Sequence, residues 1–116
     1  MRENVVKNKS LEFAVRVVKL YQFLCDQKKE FVLSKQLLRS GTSVGAMVRE
    51  AEHAETKKDF NHKMGIAQKE INETIYWLEL LHQTDYLTPS EFESMKADAV
   101  EIIKIITAIL KSSKTQ

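Results

Sequence analysis

Apolar residues recur at steps of three and four along four stretches of the chain, the spacing that gathers them on one face of an α-helix. After Ser10, a residue type suited to an N-cap, Leu11, Ala14, Val18, Tyr21 and Cys25 form one stripe, with Phe13, Val17, Leu20 and Leu24 as a second beside it. The polar run from Asp26 to Glu30 closes this pattern, so the spacing predicts a first helix over about 10–28. Ser34 is the expected cap of a second helix, about 34–54, on which Leu37, Gly41, Val44, Val48 and Ala51 keep the step. Phe60, Met64, Ala67, Ile71, Thr74, Leu78 and Leu81 alternate steps of four and three without a miss and predict a third helix over about 57–84. Thr88-Pro89-Ser90-Glu91 combines an N-cap, a proline at the first helical position and a capping-box glutamate, with Leu87 and Phe92 placed as a hydrophobic staple. The fourth helix, about 88–113, carries Phe92, Met95, Ala99, Ile102, Ile106 and Ile109 as its core stripe and Val100, Ile103 and Leu110 beside it.

Short connections between long helices favour antiparallel neighbours, so the expectation is all-α: one up-down-up-down four-helix bundle spanning residues 1–116. Three Gly and one Pro are too few for a protein of many tight turns, which supports this reading. No apolar run approaches the roughly 20 residues of a membrane span and no secretory leader pattern opens the chain, so a cytoplasmic protein without membrane association is expected. The lone Cys25 has no intrachain partner and is read as packing.

Charge divides the chain. Residues 1–69 carry 14 Lys and Arg against 8 Asp and Glu, whereas residues 70–116 carry 4 against 8. The two halves either attract one another, within or between subunits, or leave the basic half facing a polyanion. Lys7, Lys9, Arg16, Lys19, Lys28, Lys29 and Lys35 are the candidate phosphate contacts for RNA or DNA.

Two segments depart from a plain bundle. Gly41 and Gly45 stand one turn apart inside the second helix, where the pair costs about 2 kcal/mol relative to alanine, so another helix must approach closely, within the subunit or across an interface. On the third helix Asp59, Lys63, Ile66, Glu70, Glu73, Trp77 and Leu80 form a stripe of charges among apolar residues, suited to a subunit contact if the ions are paired.

Catalytic patterns do not hold together. Gly41 and Gly45 lack the lysine and upstream strand of a phosphate-binding loop. Arg49 and His53 are too closely spaced for the helical RNases marked by arginine, four to six residues, then histidine. Glu50 with His53 and Glu79 with His82 have the i, i+3 spacing of di-metal carboxylate bundles. His82 lies about 26 residues beyond the turn that holds His53, however, roughly 39 Å along a helix axis. The expectation is a protein with no cofactor and no catalytic or metal site, a metal-dependent bundle enzyme being the remote alternative.

An ordered series then carries a resemblance: Arg39-Ser40-Gly41-Thr42-Ser43-Val44-Gly45-Ala46, Glu50-Ala51, Asp59-Phe60, Lys63, Ile66-Ala67, Lys69-Glu70, Glu73-Thr74 and Tyr76-Trp77-Leu78. It resembles the bacterial four-helix-bundle proteins encoded in intervening sequences of 23S ribosomal RNA, related to the accessory variability proteins of diversity-generating retroelements. The resemblance implies a ring-like homopentamer, with nucleic-acid binding and a reverse transcriptase partner in the retroelement branch and no defined activity in the other. It makes Arg39, Ser43, Glu50, Lys69, Glu70 and Glu73 polar signature residues, and Gly41 and Gly45 close-packing ones. The family commonly has Asn after Gly-Ala, where this chain has Met47. Two functional readings follow: an oligomeric scaffold associated with nucleic acid, or a protein-interaction scaffold that does not touch it.

Overall fold

The structure is a computed structural model and describes residues 2–114. Four helices account for the fold: α1 (Arg2–Asp26), α2 (Leu33–Glu52), α3 (Lys57–Gln83) and α4 (Pro89–Lys114). Each packs on its neighbours around a square, α1 on α2, α2 on α3, α3 on α4 and α4 back on α1. At 1.5 Å per residue a 26-residue helix measures about 39 Å, so the helices run along the long axis of a 47 × 21 × 19 Å molecule. This is the all-α bundle that the spacing predicts.

The stripes predicted for α2, α3 and α4 face the core, with Leu37, Val44, Ile71, Leu78, Ile102 and Ile106 fully buried. Helix α1 requires two corrections. It begins at Arg2 rather than near residue 10, because Val6 is buried and continues the inner stripe of Phe13, Val17 and Leu24 one turn upstream of Ser10. Ser10 is therefore no cap. It is buried in the helix interior, and its hydroxyl donates to the Lys7 carbonyl at 3.2 Å. Of the stripe beginning at Leu11, Leu11 and Val18 remain 51 and 36% exposed and Ala14, Tyr21 and Cys25 are half-buried, and Val15, outside that stripe, is 46% exposed on the same outer side.

Helix α2 also starts otherwise than expected. Ser34 is its second residue, and Val32 at the N-cap makes no side-chain cap bond. The Glu30 carboxylate takes that role, accepting from the N–H groups of Val32 (3.1 Å), Leu33 (3.0 Å) and Ser34 (2.6 Å), while the Ser34 hydroxyl donates to the Glu30 carbonyl at 2.7 Å. A negative charge among orphan N–H donors is stabilised by both hydrogen bonding and the helix dipole.

The remaining ends follow known capping chemistry. At the end of α3, Asp85 has a left-handed φ of 70°, with Tyr86 N–H donating to the Leu81 carbonyl and Asp85 N–H to the His82 carbonyl. These are the two bonds of a Schellman motif, with aspartate where glycine is usual. Helix α4 then opens on the predicted capping box: Thr88 N–H donates to the Glu91 carboxylate at 2.8 Å and Glu91 N–H to the Thr88 hydroxyl at 3.1 Å. Leu87 and Phe92, both buried, form the staple beside it.

Candidate functional site

The stretch from Arg39 to Gly45 is largely a packing device between helices. Ser40 is buried, and its hydroxyl lies 2.9 Å from that of Thr74 across the α2–α3 contact. The Thr74 hydroxyl in turn lies 2.8 Å from the Glu70 carbonyl, so the pair crosses the core without an unpaired group. A Cβ on Gly41 would fall 2.8 Å from both methyl groups of Val17, and one on Gly45 would fall 3.4 Å from the Ser10 carbonyl oxygen. The close approach expected of these glycines is made by α1 of the same chain. Thr42 turns its hydroxyl back onto the Leu38 carbonyl at 2.7 Å, Ser43 is half-buried, and exposed Arg39 donates to the Gln36 side chain at 3.3 Å. Met47 packs its partly buried side chain against the core.

Among the charged signature candidates, Lys63 and Glu50 join α3 to α2. Lys63 pairs with Glu50 at 2.9 Å, and the hydrogen bond and charge of Glu50, with the charge of Asp59 added, hold the Lys63 ammonium above the usual lysine range. Asp59 lies in the first turn of α3, where its N–H donates to the Thr56 hydroxyl at 3.0 Å. One turn before Trp77, Glu73 accepts the indole N–H at 3.0 Å, and exposed Tyr76 meets the Trp77 ring edge-on with centroids 4.9 Å apart. Lys69 is exposed and Glu70 half-buried. The mixed stripe of α3 thus has its Lys63 charge paired inside the chain.

The basic candidates separate into two groups. Lys7 pairs with Glu52 at 3.2 Å, Lys9 with Glu101 at 3.2 Å, and Arg16 with Asp98, the Arg16 guanidinium also donating to the Ser94 hydroxyl at 2.9 Å. Lys9 and Arg16 tie the basic half of the chain to α4. Lys19, Lys28, Lys29 and Lys35 are exposed and form no ion pair among the described residues. The last three cluster at the α1–α2 turn, where Phe31 and Val32 are 58 and 70% exposed. The Glu30 cap that shapes this turn is not evident from residue spacing, although an acidic residue just ahead of a helix start is the signal that could have found it.

Of the histidines and carboxylates weighed as ligands, His53, His62 and Glu79 are exposed. Glu50 is engaged by Lys63, and His82 stacks on Phe92 at 4.6 Å with the rings 8° from parallel. Among the described residues no three His, Cys, Asp or Glu side chains form a group that could hold a metal ion. Cys25 is half-buried with its sulfur 3.9 Å from the Ser34 hydroxyl, and its thiol pushes the neighbouring Tyr21 phenol up. At the far end of the bundle a hollow of about 230 Å³ is lined by Val6, Val48, Ala51, Phe60 and Met64, with Asn4 and Glu52 as its polar members. That lining holds no nucleophile beside a base. No described helix is long and apolar enough to cross a membrane.

Comparison with known proteins agrees with this geometry. No curated protein matches the chain. A crystal structure from Bacteroides thetaiotaomicron, described as a protein with unknown function from the S23 ribosomal protein family, superposes with a TM-score of 0.95. It is 58% identical and the match covers 96% of this chain and 99% of that one. The family of 23S rRNA-intervening sequence proteins matches residues 2–108. With nearly the whole described bundle inside that match, the chain belongs to the 23S rRNA-intervening sequence protein family.

Proposed function

We propose that this protein is a non-enzymatic, homo-oligomeric scaffold that associates with nucleic acid through a basic surface. The observation that carries the reading is the outer face of α1. Leu11, Val15 and Val18 lie along it, 51, 46 and 36% exposed, although the opposite face of the same helix is already buried in the core. A helix apolar on both sides is suited to contact on both sides. Repetition of the chain around a ring of five, as the family resemblance implies, would repeat Lys19, Lys28, Lys29 and Lys35 into a basic surface that one subunit does not possess. Light scattering coupled to size exclusion tests the assembly: a pentamer has a mass of about 67 kDa, five times 13.4 kDa. Binding to RNA should fall steeply with salt and vary little with sequence, because lysine–phosphate contacts release counterions. Lack of binding at low salt would remove the nucleic-acid part.

A second reading has its own observation. Lys7, Lys9 and Arg16 spend their charge on Glu52, Glu101 and Asp98, which favours a scaffold that gathers proteins and touches no nucleic acid. Substituting Lys28 and Lys29 separates the two: charge reversal there weakens RNA binding at constant mass only under the first reading.

A further inference from the structure

We propose that the α1–α2 turn is a stacking site for single-stranded nucleic acid, with Phe31 as the surface for a base and Lys28, Lys29 and Lys35 holding the flanking phosphates. The proposal rests on the nucleic-acid reading and specifies its site and ligand form.

The turn is built rigidly. Glu30 N–H donates to the Leu24 carbonyl at 3.0 Å, Lys29 takes a left-handed φ of 55°, and the Glu30 carboxylate clasps three consecutive N–H groups at the start of α2. The same clasp that orders residues 30–34 leaves Phe31 projecting into solvent. An aromatic ring held on an ordered backbone loses little freedom when a base stacks on it.

Charge selects the partner. Glu30 directs its oxygens at the N–H groups of α2, so the helix N-terminus is occupied and anion binding falls to the lysines. Asp26 is the other acidic residue of the turn, against three lysines without ion pairs. Lys28 lies with its ammonium 6.0 Å from the centroid of the Phe23 ring, itself 37% exposed, so aromatic surface and cation occur side by side. Phe31 and Val32, with Phe23 exposed to a lesser degree, are little for insertion into a bilayer, whereas one ring suffices for one base.

Fluorescence anisotropy with a labelled 12-nucleotide oligouridine and with a duplex of the same length tests the site in the intact oligomer. Phe31→Ala should weaken single-strand binding about tenfold, with duplex affinity and the salt slope unchanged, and Phe31→Trp should restore it. Lys28→Glu with Lys29→Glu should instead weaken both ligands and flatten the salt slope. Equal single-strand affinity of wild type and Phe31→Ala overturns the stacking site while leaving the nucleic-acid reading intact. Absence of wild-type binding at low salt overturns both. A fall in oligomer mass on Phe31→Ala, or loss of binding to phosphatidylserine vesicles with oligouridine binding unchanged, would assign the ring to a second copy or to a membrane and likewise overturn the proposal.

Discussion

At the scale of single residues, burial and hydrogen bonding act on Glu30 in opposite directions. Burial raises its carboxyl pKa, but the bonds from Leu33, Ser34 and Val32 favour the anion and leave the group below the ordinary carboxylate range. A folded pKa below the unfolded value of about 4.3 means that the cap stabilises the fold above that pH, and that the stability is lost as pH falls through the folded pKa. Glu30→Gln should therefore cost about 1–2 kcal/mol at pH 7, and the gap in melting temperature from wild type should close below about pH 4. A gap that is constant from pH 7 to pH 3 would show that the carboxylate charge is unimportant. Gly65 is the opposite case, an interior helical glycine whose missing Cβ would meet nothing within 4 Å. Gly65→Ala should stabilise by about 0.5–1 kcal/mol in chemical denaturation; a loss of stability or a change of oligomer mass would mean that another chain approaches this position. Neither assignment was legible in the sequence, since the polar run ending at Glu30 reads as a helix stop and the open space beside Gly65 depends on where the other helices lie.

For the elements, the legible part was whatever one helix carries by itself. The stripe of α3 and the capping box and staple of α4 depend on residues a few positions apart, and they stand where the spacing puts them. The face of α1 that turns inward depends on α2, which α1 alone does not record; both its stripes have helical spacing, and Val17 rather than Val18 lies against Gly41. The ion pairs Lys9–Glu101 and Arg16–Asp98 join residues more than eighty positions apart and were invisible for the same reason. The contact also separates two glycines that look alike in the chain. A methyl group on Gly41 would press on the short, stiff side chain of Val17 at 2.8 Å, whereas one on Gly45 would sit in ordinary contact at 3.4 Å. Overpacking of about 1–3 kcal/mol exceeds the roughly 1 kcal/mol that alanine gains in a helix, so Gly41→Ala should lower the melting temperature and Gly45→Ala should hold or raise it. Equal behaviour of the two variants would refute this reading of the α1–α2 contact.

For the whole molecule, one bundle accounts for the inner faces of its helices and leaves the outer face of α1 unexplained. Leu11, Val15 and Val18 follow steps of four and three, the spacing of a seam that packs on another helix, and Ala14, Lys19 and Gln22 flank them. Because these side chains are already exposed in the single chain, replacing them removes little from the bundle's own core. Leu11→Lys with Val15→Lys should consequently leave the helical circular dichroism spectrum intact while moving the mass seen by light scattering from about five times 13.4 kDa toward 13.4 kDa. Two lysines buried at every contact would carry desolvation costs without partners, which is why a pair of surface changes should suffice. If the double variant keeps the wild-type mass, the assembly uses another face, and the exposed Tyr76 beside Trp77 on α3 is the next to substitute. If the wild-type protein is itself a 13.4 kDa species at micromolar concentration, the outer stripe of α1 serves no self-contact. The repeated basic surface then loses its basis, and RNA binding, if found, must come from the α1–α2 turn of a single chain.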